Sequence, residues 1–166
     1  MTISKRIGLL LLLLATSQVW GQSKPAHRDY FYDFGIVWGA IHKAAWLKEA
    51  CDQAVPQSQA TNQQALDVWQ SRNKALFVEI ESQFGVMGRY WAQLPQPAKE
   101  SRRTGEQTRQ EYEAYKPTYI ASLRAFPTEK LDAACNGFPH LLLSPAMNIE
   151  DRYRSELASI RTGPRM

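Results

Sequence analysis

The stretch from Tyr30 to Cys51 constrains the fold most, because it is apolar on two sides of a helix instead of one. At about 100° per residue, one broad stripe is formed by Tyr30, Phe34, Val37, Trp38, Ile41, Ala44, Ala45 and Cys51. A second line, on roughly the opposite side, is formed by Gly35, Gly39, His42 and Trp46. A helix with two packing faces belongs at the centre of a fold, so the rest of the chain is expected to cover it.

Residues 1–21 have the pattern of a signal peptide, which leaves a single helical domain over residues 22–166. Lys5 and Arg6 form a positive start, residues 7–15 are apolar, and Val19 and Gly21 place small residues where a signal peptidase cleaves. The apolar run is too short for a bilayer, which needs about 20 apolar residues. We therefore expect a periplasmic (bacterial) or secreted protein with no stable membrane span after cleavage.

The chain has two cysteines, Cys51 and Cys135. In an oxidising compartment such a pair is expected to form a disulfide, here closing a loop of about 85 residues. Neither cysteine has another Cys or a His at ligand spacing, so no metal site and no cofactor are expected. The absence of an Asn-x-Ser/Thr sequon favours the bacterial periplasm over a eukaryotic secretory route.

The apolar periodicity predicts an all-α fold, a small bundle of four to five helices with one disulfide. Helices over about 29–54 and 58–94 are expected to form an antiparallel hairpin, because Pro56 ends the first one. Gly85 and Gly88 are expected to bend the second helix near its end.

The second half of the chain predicts shorter helices. Thr104 and Gln107 form a potential capping box at the start of a third helix, which Pro117 should kink. A short helix over 128–134 should end near Cys135, followed by a loop over 138–145. A last helix from about 148 to 159 should begin at an Asn148 cap.

One candidate site follows from the predicted hairpin. If its turn is centred near Gln57, His42 is level with Asn73, the polar residue within the apolar stripe of the second helix. Glycine in a helix costs about 1 kcal/mol against alanine, so two glycines one turn apart indicate close approach of a backbone or a ligand. The site is either a satisfied core histidine beside a packed tryptophan or a ligand cleft formed by Gly35, Gly39, His42, Trp46 and Asn73.

The sequence predicts no catalytic residues. No serine lies in a nucleophile elbow, and no His-Glu-x-x-His occurs. The carboxylate pairs and the charged segment containing Arg102, Arg103 and Arg109 are typical of solvated faces. Removing Lys5 and Arg6 lowers the formal charge from +4 to +2, too little to indicate nucleic-acid binding.

These patterns favour an exported protein that is not an enzyme and that binds another protein of the cell envelope, as accessory, inhibitor and immunity-type proteins do. Two alternatives remain at this point: a small-ligand carrier using the glycine-lined cleft, and a small hydrolase. Tyr32 points away from the main stripe, and an exposed tyrosine there would suit a protein interface, whereas burial under the third helix is the alternative. The sequence does not indicate the oligomeric state.

Overall fold

The computed structural model describes residues 29–94 and 104–164; the predicted signal peptide lies outside these ranges. Within them the chain is helical and contains no strand. The helices are α1 Tyr30–Ala54, α2 Gln59–Arg72, α3 Lys74–Gln93, α4 Gly105–Glu113, α5 Lys116–Arg124, α6 Thr128–Leu142, α7 Ile149–Arg152 and α8 Arg154–Thr162, with 3-10 turns at Pro56–Ser58 and Pro145–Met147.

The predicted all-α fold with one disulfide is confirmed. Cys51 on α1 and Cys135 on α6 form the disulfide, with 5.2 Å between their Cα atoms, and both residues are fully buried. The bond therefore joins the end of α1 to the middle of α6.

Helix α1 lies at the centre of the bundle and packs against α2, α3, α5, α6 and α8. It begins at Asp29, whose side chain accepts a hydrogen bond from the backbone N–H of Phe31, satisfying a donor that the first helical turn leaves free. Phe34, Val37 and Leu47 are fully buried along its length.

The second predicted helix is divided at Asn73, where the backbone leaves helical geometry at φ −103° and ψ 9°. The Asn73 side-chain amide donates to the carbonyl of Trp69, a local bond of the kind that competes with helix continuation. Trp69 in turn donates its indole N–H to the carbonyl of Met147 at 2.9 Å, which joins α2 to the 3-10 turn after α6, and α2 also packs against α6 itself. Helix α3 packs against α4, whereas α2 packs against α6, so the two parts of the predicted second helix have different neighbours.

The third predicted helix is also divided, into α4 and α5. The capping box is confirmed: Thr104 Oγ1 accepts from the N–H of Gln107, and Gln107 Oε1 accepts from the N–H of Thr104. Pro117 occupies the first turn of α5, where its missing N–H costs least. The expected kink is an interruption at Ala114 and Tyr115, where the backbone stays in the right-handed helical region between the two helices.

Helices α3 and α4 approach each other through glycines. A Cβ atom placed at Gly105 would lie 2.3 Å from the carbonyl oxygen of Phe84, and one at Gly88 would lie 2.9 Å from the nitrogen of Gly105. These glycines therefore permit backbone contact between the two helices. From the sequence we predicted only a bend at Gly85 and Gly88, and this contact between α3 and α4 was not predicted.

Helix α6 extends eight residues beyond its predicted end, through Cys135 and Pro139 to Leu142. The predicted loop over 138–145 is therefore wrong in its first half. Phe138, Leu141 and Leu142 are buried in the core, and burial of this apolar face stabilises the helix despite the backbone donor that Pro139 lacks. The Asn148 cap is confirmed by its bond from the N–H of Asp151, although the last helix is interrupted at Tyr153.

Candidate functional site

The Glu81 carboxylate joins three helices at one point. Its Oε1 atom accepts a hydrogen bond from the indole N–H of Trp38 at 3.2 Å and lies 3.3 Å from Nε2 of His42, both on α1. Its Oε2 atom forms an ion pair with Arg109 of α4. An ionised carboxylate only accepts hydrogen bonds, so His42 carries its proton on Nε2 when it bonds to Glu81.

Aromatic rings hold these polar groups in place. The rings of Trp38 and His42 are stacked, with centroids 4.0 Å apart and planes at 23°. Tyr112 of α4 packs against Trp38 at 5.2 Å, and the Arg109 guanidinium lies over the ring of Phe84, 4.7 Å from its centroid. Arg109 therefore binds α3 through both charge and cation–π contact.

His42 is neutral in this arrangement at neutral pH. Burial lowers the pKa of its imidazole; the hydrogen bond and negative charge of Glu81, and the charge of Glu113, oppose that shift, while Arg109 adds to it. The His42, Glu81 and Arg109 side chains are 33 %, 32 % and 34 % exposed. The cluster therefore lies at the edge of the core, in contact with solvent.

The structure does not place His42 beside Asn73, so the predicted contact is wrong. His42 bonds to Glu81, while Asn73 bonds within its own helix to Trp69. Phe34 of α1 packs against Phe84 of α3, with ring centroids 5.1 Å apart. The helix that follows Asn73, α3, contacts α4 as well as α1, and its Glu81 is the residue that meets His42.

The two glycines of the second line have different surroundings. A Cβ atom at Gly35 would lie 3.2 Å from the hydroxyl of Tyr112, which donates to the carbonyl of Phe31. Gly35 therefore accommodates a neighbouring aromatic side chain. A Cβ atom at Gly39 would meet only the side chain of Lys43 within 4 Å.

Trp46, the remaining residue of the proposed cleft, is buried. Its ring packs against Trp38 at 5.7 Å and against Tyr119 of α5 at 5.7 Å, and the exposed Tyr115 lies 6.4 Å away. The five predicted site residues thus comprise a glycine covered by Tyr112, a glycine that meets only Lys43, a partly exposed histidine, a buried tryptophan and an asparagine that bonds within its own helix.

Sequence reasoning missed Glu81 and Arg109, which it assigned to solvated faces. Each does contact solvent, but each also pairs across a helix interface. The available signal was the spacing of Arg109 and Tyr112, which places both on one face of α4. This spacing is not specific, because it also occurs on many solvated helices.

A line of residues that the described ranges, 29–94 and 104–164, leave exposed or partly exposed runs along the first half of α1, at spacings of four, three and four. We call it the α1 strip: Tyr32, Ile36, Gly39 and Lys43. Tyr32 is 58 % exposed, and the other three are partly exposed. At about 1.5 Å per residue the strip is about 16 Å long. Of the two alternatives for Tyr32, burial under the third helix is therefore wrong, and a role in an interface stays a prediction.

The cluster shows no arrangement for nucleophilic catalysis. Within the described ranges, His42 bonds to Glu81 and to no hydroxyl or thiol, and both cysteines are oxidised. The same residues contain no group of three or more His, Cys, Asp or Glu side chains placed to hold a metal ion.

Comparisons of the chain with protein-family models, with curated proteins and with solved structures find no match. Among residues 29–94 and 104–164, no helix has the length and apolar character needed to cross a bilayer. The functional inference therefore depends on the geometry of the chain itself.

Proposed function

We propose that this is an exported, non-enzymatic protein that binds another protein of the cell envelope through the α1 strip. The observation that carries the proposal is the exposure of Tyr32, 58 %, at the start of the strip, on the helix that contributes many of the buried core residues. Aromatic residues are enriched at protein interfaces, so an exposed tyrosine on this helix indicates a surface available to a partner.

The composition around the strip supports a protein partner. Tyr32 of the strip is 58 % exposed, and Tyr115, whose ring centroid lies 6.4 Å from that of Trp46, is 52 % exposed. Tyrosine, tryptophan and arginine are enriched where protein interfaces concentrate their binding energy, because large rigid rings bury much area with little loss of conformational freedom. Arg109 is partly exposed at the neighbouring cluster.

Export is supported by the chain's own chemistry. The leader pattern in residues 1–21 is a sequence prediction, and the Cys51–Cys135 disulfide is of the kind that persists in an oxidising compartment such as the periplasm. An accessory, inhibitor or immunity-type role in the envelope is consistent with both. The carrier alternative has less support, because Tyr112 occupies the space beside Gly35 and Trp46 is packed.

The test is capture of envelope proteins by the mature chain, immobilised with its disulfide intact, followed by measurement of the affinity for the protein that is captured. Tyr32→Ala should weaken binding about 30-fold, the effect expected for an interface tyrosine worth about 2 kcal/mol. Val78→Ala is the matched control, because Val78 is 64 % exposed but lies on α3.

An unchanged affinity in both Tyr32→Ala and a Tyr32→Ala/Tyr115→Ala double variant would reject the α1 strip as the binding surface. Equal losses in the Val78 control would have the same consequence, because they would indicate a general effect on the surface.

A further inference from the structure

Three aromatic residues meet at one end of the bundle, where α1 begins and α3 ends. The ring of Phe31 stacks on that of Trp91, with centroids 4.8 Å apart and planes at 25°, and lies 5.4 Å from the ring of Tyr90. The rings of Tyr90 and Trp91 are 5.2 Å apart. All three residues are partly exposed, and Phe31 and Trp91 also pack against the core. We call this surface the aromatic patch: Phe31, Tyr90 and Trp91.

The two sequence segments that adjoin the aromatic patch are basic. Residues 22–28 end three positions before Phe31 and contain two Lys or Arg residues and no acidic residue. Residues 95–103 begin four positions after Trp91 and contain three Lys or Arg residues and one acidic residue. Each segment therefore carries a formal charge of +2. The mature chain as a whole also carries +2, so its remaining residues carry −2, and the positive charge is concentrated in the sequence next to the aromatic patch.

The described residues around the patch add little net charge of their own. Arg89 of α3 and Asp29 at the start of α1 are both exposed, and their charges are opposite. The Asp29 carboxylate also accepts the hydrogen bond from the N–H of Phe31, so it serves as the helix cap. The adjoining segments therefore determine the sign of the charge beside the patch.

Partly exposed aromatic rings next to basic residues are typical of proteins that bind the surface of an anionic bilayer. Trp and Tyr are enriched at the boundary between lipid and water, because their rings are apolar and carry one polar atom. Each Lys or Arg close to an anionic leaflet strengthens binding about fivefold. The predicted leader favours a bilayer over a protein here, because only residues 22–29 separate it from α1, a span of at most about 29 Å. A leader inserted in a membrane would therefore keep the patch close to the lipid surface.

We propose that the aromatic patch, together with Lys24 and Arg28, binds the surface of a bilayer that contains anionic phospholipid. The rings enter the headgroup region, and the two basic side chains contact lipid phosphates. The association is reversible, because three partly buried rings and a few charges bury far less apolar area in lipid than a membrane-spanning helix does. The proposal shares the predicted leader with the proposed function, but it uses a different surface from the α1 strip.

The first test is flotation of the mature protein with lipid vesicles. Vesicles of phosphatidylcholine with about one third phosphatidylglycerol should bind it with an apparent Kd of about 1 mM lipid, and pure phosphatidylcholine at least about tenfold more weakly. Raising the salt from about 0.1 M to about 1 M shortens the Debye length from about 10 Å to about 3 Å and should release the protein. No binding to the anionic vesicles, or equal binding to both kinds, would overturn the proposal.

Trp91 provides a local probe of the contact. Of the four tryptophans after residue 21, Trp38, Trp46 and Trp69 are buried in the core and Trp91 is partly exposed. Bromine atoms on lipid acyl chains quench tryptophan fluorescence only at close approach, so brominated lipid in the anionic vesicles should quench Trp91. Trp91→Phe keeps a ring beside Phe31, and this variant should still bind the vesicles but lose the quenching. Quenching that persists in Trp91→Phe would show that another surface meets the lipid.

The double variant Lys24→Gln/Arg28→Gln should weaken binding to the anionic vesicles about 25-fold, since it removes two charges. Arg72→Gln/Lys74→Gln is the matched control. It removes the same charge from two exposed residues at the opposite end of α3, about 26 Å from Trp91, and should have a much smaller effect. Equal losses in the two double variants would indicate attraction by net charge alone and would reject the site.

Tyr90→Ser should also weaken vesicle binding, whereas Tyr115→Ser should not, because Tyr115 is 52 % exposed but lies between α4 and α5. Circular dichroism of each variant without lipid checks that it remains folded. If Tyr90→Ser binds vesicles normally and instead loses the captured envelope protein, the patch is a protein interface and the bilayer proposal fails.

The outcomes separate this proposal from the proposed function. Capture of an envelope protein without any vesicle binding would reject the bilayer site and leave the proposed function standing. Vesicle binding without capture of any protein would reject the proposed function and leave the bilayer site standing.

Discussion

Replacing Gly105 with alanine should destabilise the protein, although alanine is ordinarily the better helix former. The added methyl carbon would lie 2.3 Å from the carbonyl oxygen of Phe84 and 2.8 Å from the carbonyl carbon. Ordinary contact begins at 3.4 Å, so α4 would have to move by about 1 Å away from α3. The obstacle is backbone, which cannot turn aside as a flexible side chain can.

The expected loss of unfolding free energy is about 1 to 2 kcal/mol. Overpacking costs about 1 to 3 kcal/mol. Alanine returns less than the usual 1 kcal/mol of helix propensity, because Gly105 is the first residue of its helix. For a chain of this size the melting temperature should fall by about 2 to 8 °C.

Gly85→Ala is the matched control on the same helix pair. A Cβ atom at Gly85 would meet only the Arg89 side chain at 3.5 Å, an ordinary contact, and Gly85 lies inside α3. That variant should gain about 0.5 to 1 kcal/mol. Urea denaturation followed by circular dichroism measures both variants, and the two changes should have opposite signs.

A Gly105→Ala variant as stable as the wild type would refute the close contact between α3 and α4. A second readout lies in the cluster, because Arg109 is one turn farther along α4 and should separate from Glu81 when α4 moves. The NMR signals of the Glu81 and Trp38 side chains should then change in Gly105→Ala but not in Gly85→Ala.

Three other outcomes are expected. Reducing the Cys51–Cys135 disulfide, which spans 84 residues of sequence, should lower the unfolding free energy by about 4 kcal/mol, and a thermal melt unaffected by reductant would contradict this. Because burial lowers the pKa of His42, the unfolded chain binds a proton more readily, so stability should fall as pH drops below about 6.5, and His42→Gln should flatten that part of the profile in urea titrations. Tyr119→Phe should leave stability unchanged or raise it by up to about 1 kcal/mol, since the hydroxyl has no partner; a clear loss on thermal melting would reveal one.

The central position of α1 and the disulfide could both be predicted from the sequence, because each follows from a strong pattern. A helix with the two-sided apolar pattern of residues 30–51 must be enclosed by neighbouring helices to bury both sides. A pair of cysteines in an exported chain normally forms a disulfide. The helix caps at Thr104 and Asn148 could also be predicted, because each cap depends only on residues three positions apart in the sequence.

The site was less predictable because it depends on register. Asn73 was interpreted as a polar residue inside a continuous helix, whereas it ends one helix and precedes the next. Periodicity continues across such a break, so the apolar pattern alone does not reveal it. The consequence was the assignment of the wrong partner to His42, and the omission of Glu81.

The contact between α1 and α8 joins the first and last helices of the described chain. Synthesis proceeds from the N-terminus, so α1 emerges with its apolar sides exposed long before residues 154–162 exist to cover it. Such sequence-distant pairing slows folding and leaves an early intermediate vulnerable to aggregation. A chain shortened by α8 would retain every residue of the α1 strip, yet it should accumulate in inclusion bodies.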